Sequence, residues 1–581
     1  MEDDPRAIPI DATSLKDRKE AFVTGHTGSE YPFEVMWVCS SVLWGCWLYA
    51  ELVARRRTPK KEEGTTKAEK LAWEATVLWI PIVVAQTSYL YPYGSLAMAG
   101  QILAAVALAH RRATRPRQTA TQPQQQQQQQ QQEPPPPPRD HGELGCFTLY
   151  RSSIYYLTFV AILAVDFPLF PRRFCKTEVS GYGLMDLGAA SFCISSGIAS
   201  ARSYGATAAG APKPSSSPSV FKPLFRAAPL VVIGIVRCVT NKELEYQEHV
   251  TEYGVHWNFF FTLGVLSVFP ALRKRILLSG DNDNSSDNNG DNNGGQRLPE
   301  FLLRWVFWAP VLALALYQWE LSMGAGDPRG LQAFILSAPR RLGEYDYDYR
   351  PSSSSSSTPW IARLQTLWMG FFVANREGIL GCIGYCFLHA AGEWVGRSCV
   401  FGNHNTNTNS SNSNSNSNKP SKTPLAFPVA ALWIAHWILV RFLGATVSRR
   451  TTNLTFCLWS LAHNFTLLWG LQAVEAFVSV PSSSSLSLSL SSIVPPSYRA
   501  VNNHGMVAFL VANIATGLTN LLLPTLETSD PVAFCILVVY VAFVAGVALA
   551  VEHRFSSSPA CSSTAARPGK AGPEERTKKT S

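Results

Sequence analysis

Apolar stretches alternate with polar breaks along nearly the whole chain, and a bilayer core needs about 20 mostly apolar residues per helix. Candidate spans fall near 33–54, 72–91, 93–110, 153–170, 183–201, 227–240, 256–272, 300–321, 377–396, 424–445, 454–479, 506–524 and 531–553. The pattern predicts an all-α, polytopic membrane protein with about thirteen transmembrane helices. The third and sixth stretches are short. The fifth is rich in Gly, Ala and Ser, which let helices approach closely, so it is expected at the centre of the bundle. It also carries Asp186, whose cost is tolerable facing inward and not facing lipid.

The breaks are of two kinds. Low-complexity inserts near 112–140, 279–297, 402–422 and 480–497 are Gln/Pro-, Asn/Asp/Gly-, Asn/Ser- and Ser/Leu-rich in turn. They cannot bury enough apolar surface to order themselves and are expected to be disordered and chemically inert. That leaves an N-terminal segment 1–32, one membrane domain 33–553 and a tail 554–581. Short, chemically dense connections lie at 171–182, 239–255 and 446–452.

Composition sharpens this picture. Of 581 residues 46% are hydrophobic and 16% charged, against about 25% charged in soluble domains. The net charge of +9 resides largely in loops beside apolar runs, which suits a membrane surface and not nucleic acid. Twelve cysteines show no CxxC pair or framework spacing and read as small core residues. Residues 1–20 lack an apolar signal-peptide core, so the first span is expected to direct targeting. An odd number of spans puts the termini on opposite sides. The basic run Arg55, Arg56, Arg57, Lys60, Lys61 marks the first connection as cytosolic, and that side carries roughly twice the Lys and Arg of the other. The N-terminus is then lumenal and the tail cytosolic, ending in Lys578 and Lys579 like a dilysine endoplasmic-reticulum retrieval signal. The dense connections fall together on the lumenal face.

The chemistry concentrates in a few places. Asp166 sits at the end of the fourth apolar run, just before Pro168 and Pro171, with Arg172, Arg173 and Lys176 following. A carboxylate at the edge of hydrocarbon is expensive and needs a partner. Lys176 is the first candidate, with Arg172 and Arg173 as rivals; a basic stop at the interface is the bland alternative. Glu245, Glu248, His249, Glu252 and His256 are spaced to share one helix face. With Tyr253 and Asn258 they suit a polar headgroup better than a metal, since HxxE followed by xxxH is not a zincin pattern. No metal site is expected. Asn375, Arg376 and Glu377 open the ninth span, where an Arg fork at a helix start either anchors a phosphate or closes the bundle end as an Arg–Glu pair. The basic 447–453 stretch is a further candidate phosphate contact. There is no Gly-rich phosphate loop and no Gly-x-Ser-x-Gly elbow.

The blocks Ala164-Val-Asp-Phe-Pro-x-Phe-Pro-Arg-Arg-Phe-x-Lys176, Leu184-Met-Asp-Leu-Gly188, Leu244 to Phe260, Ala374-Asn-Arg-Glu-Gly378 and Arg18-Lys-Glu-Ala-Phe-Val-Thr-Gly25 closely resemble the PIG-W family. These are the inositol acyltransferases of glycosylphosphatidylinositol (GPI) anchor synthesis. The resemblance covers nearly the whole chain outside the low-complexity inserts, which depart from the family pattern. It implies a thirteen-span endoplasmic-reticulum enzyme that moves a fatty acyl group, usually palmitoyl, from acyl-CoA to the inositol hydroxyl of glucosaminyl-phosphatidylinositol. It also implies that Asp166 and Lys176 are the catalytic pair, matching an Asp and a Lys ten residues apart in the family's first motif. On this reading Asp166 is the general base, and Lys176 orients it or stabilises developing negative charge. Arg172, Arg173 and Arg376 would hold phosphates, and the 244–256 segment would line the headgroup cavity. No cofactor is needed beyond acyl-CoA as co-substrate. From another class, a lipid or ion transporter would use Asp166 and Asp186 as a proton relay.

Overall fold

The computed structural model describes residues 15–56, 67–90, 145–208, 221–243, 250–279, 300–341, 359–401, 424–478 and 494–556, with a few isolated positions between 93 and 103. In chain order the helices are α1 (Leu15–Val23), α2 (Pro32–Arg56), α3 (Lys67–Glu74), α4 (Ile80–Ala85), α5 (Gly145–Ala164), α6 (Leu184–Ala208), α7 (Phe221–Glu243), α8 (Val250–Tyr253) and α9 (Phe259–Ser279). Then follow α10 (Glu300–Met323), α11 (Leu331–Leu336), α12 (Pro359–Ala374), α13 (Arg376–Val395), α14 (Ala426–Arg441), α15 (Leu454–Val478), α16 (Pro496–Asn503), α17 (Gly505–Leu522) and α18 (Asp530–Ser556). Among the described residues there is no strand, only an isolated bridge between Ser29 and Tyr182. The protein is an all-α, multi-pass membrane protein. Eight described helices are long and apolar enough to cross a bilayer; α14 and the Phe259–Ala271 part of α9 are shorter apolar helices.

The sequence expectation differs from the structure in three places, and one expected span falls outside the described residues. The short third stretch, 93–110, lies almost wholly outside the described residues, as do the inserts. The fourth span runs from Gly145 to Ala164, not 153–170, because Pro168 disfavours helical geometry at Phe167 and turns the chain out early. Asp166 therefore sits in a turn. The Ser/Leu-rich insert ends before 494: α16 follows at Pro496, and Ser497 and Tyr498 are fully buried. Finally, α12 is an apolar helix absent from the thirteen. Its hydrogen bonding runs through Asn375 into α13, since the Asn375 N–H donates to Phe371 and Phe372 and its carbonyl accepts from Ile379.

The centre of the bundle is built from α5, α6, α13 and α15. Buried residues occupy nearly every face of α5, as expected of a helix apolar all round and enclosed by others. The expected role of α6 is realised through its glycine. A Cβ on Gly197 would collide with the His389 carbonyl of α13, and one on Gly392 would collide with the Ile194 carbonyl of α6. The small residues thus bring two backbones into contact, which is how helices associate where lipid removes the hydrophobic drive. A buried Arg273–Glu393 ion pair ties α9 to the far end of α13.

Candidate active site

At the opposite end of α13, several chain segments converge. The turn 165–183 is stitched to the 26–29 segment by Ser29 N–H to Tyr182 O (3.0 Å), Tyr182 N–H to Ser29 O (3.1 Å) and Glu178 N–H to His26 O (2.8 Å). It is stitched to the 445–453 loop by Gly181 N–H to Val447 O (2.8 Å) and by the Ser448 hydroxyl to Val179 O (2.6 Å). Gly181 is left-handed (φ 132°), and a side chain there would strike the Thr27 carbonyl. Thr452 holds a left-handed φ of 47° without being glycine. Its N–H and hydroxyl both donate to Arg449 O at 3.0 Å, a closed turn that offsets the cost of that conformation. Asn453 then caps α15, its Oδ1 accepting Phe456 N–H at 3.0 Å.

Of the dense connections expected on one face, 171–182, the described 250–255 part of 239–255, and 446–452 meet at one end, together with 374–377. Their charges form a chain. Lys176 Nζ reaches Glu252 Oε2 at 2.6 Å, Glu252 Oε1 takes Arg449 Nη1 at 3.3 Å, and Arg449 Nε holds Asp186 Oδ1 at 2.7 Å. Side-chain exposure falls along it from 35% at Lys176 through 17% and 5% to 1% at Asp186, so the chain leads from water into the bundle. Asp186 also accepts the Thr177 N–H at 3.1 Å. Burial would depress the Arg449 pKa, but Glu252 and Asp186 outweigh it and hold the guanidinium above its ordinary value. A second chain runs beside the first: Glu377 pairs with Arg340 (2.7 Å) and Arg450 (3.2 Å), and Arg450 also approaches Glu178 (3.7 Å). Between the two chains opens a small hollow lined by Val23, Lys176, Thr177, Glu178, Thr251, Glu252, Arg449 and Arg450.

Asp166 lies near the start of the 165–183 turn. Its Oδ2 accepts the Asn520 Nδ2–H of α17 at 2.6 Å, not the ammonium of Lys176. Burial pushes its pKa up to about 6, against the Asn520 hydrogen bond and the charges of Lys19, Arg172 and Lys176. Lys176 thus acts on Asp166 through space while its own contact is Glu252. Cys175, between these residues in chain order, is buried, and burial pushes its thiol up to about 11, which disfavours the nucleophilic thiolate.

Several residues expected to hold substrate phosphates are engaged with the backbone instead. Arg172 donates to the carbonyls of Phe170, Val165, Phe167 and Phe22 at 2.8–3.4 Å, and its guanidinium lies 4.1 Å from the Phe22 ring centre. It is the keystone of the turn. Arg376 is fully buried and donates to Ile335, Pro339, Val373 and Ser337, the closing-pair alternative over the phosphate anchor. Asn375 Oδ1 accepts the His256 N–H at 2.7 Å, and Glu377 is taken by its arginines. Asn258 Oδ1 accepts Phe260 N–H at 3.0 Å, which starts α9. Arg173, half-exposed, approaches Glu34 at 3.5 Å. Within the described part, 250–256, the helix does not run through: α8 stops at Tyr253 before Gly254 (φ 117°), whose bare Cα packs on Asn375. His256 is exposed, while Tyr253 lies under Arg449 at 5.8 Å. Glu245, Glu248 and His249 lie outside the described residues. The 447–453 stretch, read as a phosphate contact, has both arginines committed to carboxylates.

Comparison with known proteins assigns the chain to a family. The family model described as GWT1 matches residues 15–343 and 353–551. The chain belongs to the GWT1 family. This is the family to which the PIG-W resemblance pointed, and its work is GPI-anchor biosynthesis. Proteins called GPI-anchored wall transfer protein 1 are similar to it: 32% identical over 71% of this chain and 73% of the protein from Yarrowia lipolytica. The figures are 30% over 69% and 72% for Saccharomyces cerevisiae, and 28% over 93% and 99% for Candida glabrata. Two residues around Asp166 escaped the sequence reading. Asn520 is one of two asparagines, with Asn513, in the apolar span α17, and an amide in lipid signals function or partnership. Lys19 sat in a quoted motif without any assigned role.

Proposed function

We propose that this protein is an acyl-CoA-dependent O-acyltransferase. It transfers a fatty acyl group, palmitoyl by the family resemblance, to the inositol hydroxyl of glucosaminyl-phosphatidylinositol in the endoplasmic-reticulum membrane, with its N-terminus lumenal and its tail cytosolic. The observation carrying this reading is Asp166, a partly buried carboxylate in the turn after α5, held by Asn520 and with its pKa pushed up to about 6. A base poised near the working pH is what deprotonation of an alcohol during attack requires. Asp166 takes the inositol hydroxyl proton as that oxygen bonds to the thioester carbonyl carbon. The tetrahedral adduct collapses with loss of the C–S bond, and the proton passes to the departing CoA sulfur. Lys176, held ready by Glu252 at 2.6 Å, supplies positive charge to the oxyanion or the thiolate. A carboxylate relay through Asp166 and Asp186, as a transporter would need, has less support because Asp186 is clamped by Arg449 and Thr177.

The test uses purified full-length protein with acyl-CoA and glucosaminyl-phosphatidylinositol, following acylated lipid by mass spectrometry and free CoA thiol in parallel. Asp166→Asn should lower kcat by roughly 10²-fold or more, the usual contribution of a positioned base. Full activity of that folded variant, or solute transport in vesicles without acyl-CoA, would overturn the proposal.

A further inference from the structure

The N-terminal helix α1 was no part of the mechanism above, yet it packs on the same turn as Asp166. Phe22 covers the Arg172 guanidinium at 4.1 Å and its carbonyl accepts Arg172 Nη1 at 3.4 Å. Val23 lines the hollow. Lys19, one turn earlier, donates from Nζ to the backbone carbonyl of Asn520 at 3.2 Å, while the side chain of that same Asn520 holds Asp166 at 2.6 Å. Asn520 is thus a hub: one end fixes the carboxylate, the other fixes a lysine beside it.

Three cations act on Asp166: Lys19, Arg172 and Lys176. Arg172 is spent on four backbone carbonyls, and Lys176 is paired with Glu252. An ammonium has three donors. Lys19 uses one on a neutral carbonyl, leaving two for an acceptor at the mouth of the site. The proposed acceptor lipid bears its phosphodiester on the same six-membered ring as the reacting hydroxyl. When that hydroxyl meets Asp166, the phosphate must lie within a few ångströms. It would otherwise sit as an anion beside an ionised carboxylate, and a neighbouring cation with unused donors removes that repulsion.

We infer that Lys19 seats the phosphodiester of the acceptor phosphoinositide beside Asp166, making α1 a wall of the acceptor site. The inference rests on the acyltransferase reading for its choice of ligand. It assigns Lys19 to the acceptor and not to the phosphates of CoA, the other phosphate source in the reaction.

The experiment measures transfer by full-length protein in nanodiscs, titrating each substrate with the other saturating, for wild type, Lys19→Gln and Lys19→Arg. A lost charge-assisted contact predicts that Lys19→Gln raises the KM for the acceptor roughly tenfold or more. The KM for acyl-CoA should be unchanged and kcat should stay within about twofold, the signature of lost ground-state binding. Lys19→Arg should restore most of the loss. A second arm reads binding without turnover: short-chain phosphatidylinositol should raise the Tm of wild type and of Asp166→Asn, and should not raise that of Lys19→Gln. An unchanged acceptor KM, a defect confined to the KM for acyl-CoA or to kcat, or an undiminished Tm response in Lys19→Gln would overturn the inference. Full transfer by Asp166→Asn would remove Asp166 as the base, absence of any transfer by wild type would sink the acyltransferase assignment, and in either case the binding arm would still judge Lys19.

Discussion

Asn520→Leu removes the donor to Asp166, along with the Oδ1 that accepts the Thr525 hydroxyl at 3.2 Å, and moves one measurable quantity. The amide donates to Asp166 Oδ2 at 2.6 Å, and it opposes the burial that raises the carboxyl to about 6. A hydrogen bond to an ionised group contributes about 1.5–3 kcal/mol, and each pKa unit corresponds to about 1.4 kcal/mol. Leucine keeps the volume and removes the donor, so the Asp166 pKa should rise by about one to two units. The base works deprotonated. Activity in wild type therefore falls as pH drops through about 6, and in the variant that acid limb should lie near pH 7–8, to order of magnitude. At pH 6 the wild type would be about half ionised and the variant about a tenth or less. The assay is kcat/KM for acyl transfer between pH 5 and 9, with protein integrity checked at each pH. A limb that stays put or moves to lower pH would refute the argument. So would a uniform loss across the whole profile, which would make Asn520 a packing residue only.

The same pKa has a consequence for stability. Asp166 is raised from 3.8 to about 6 on folding, so its protonated form favours the folded state. That contribution is present below about pH 4 and is lost as pH rises through about 6. Asp166→Asn should therefore be more stable than wild type at pH 8, by about 3 kcal/mol at most, and no more stable at pH 4; thermal melts in detergent at the two values decide it, and an equal effect at both would contradict the assignment. Arg449→Met leaves Asp186 and Glu252 without their buried partner, since both bonds, 2.7 and 3.3 Å, end on that guanidinium. Breaking a buried pair on one side costs about 3–5 kcal/mol, so the variant should show a clearly lowered Tm, partly restored by adding Asp186→Asn; an unchanged Tm would show that the network is not structural.

The span pattern was legible because bilayer thickness imposes a length and an apolar composition that no soluble context requires. It located most of the helices, the central α6 with its close-packed Gly197, and the shared end of the dense loops. It failed where the signal was local and weak. The apolar α12 was hidden between a serine run and the polar Asn375-Arg376-Glu377, and α16 lay flush against a low-complexity insert. Residues within one motif were also easier to find than to assign. Arg172 and Lys176 look equivalent as basic residues after Asp166, yet one is consumed by the carbonyls of its own turn and the other reaches a carboxylate 76 positions away.

Sequence alone determined that the chain crosses a membrane repeatedly, that Asp166 is costly where it stands and needs a partner, and which family the motifs resemble. Those properties follow from composition and short spacing, which are local. Only the tertiary structure decided the partners: Asn520 for Asp166 across 354 residues, Glu252 for Lys176, and Arg449 for Asp186. Which opposite charges or donors meet depends on how loops from distant spans dock at one end of the bundle, and that docking is set by backbone turns such as those at Gly181, Gly254 and Thr452 and by helix packing, neither of which a one-dimensional pattern encodes.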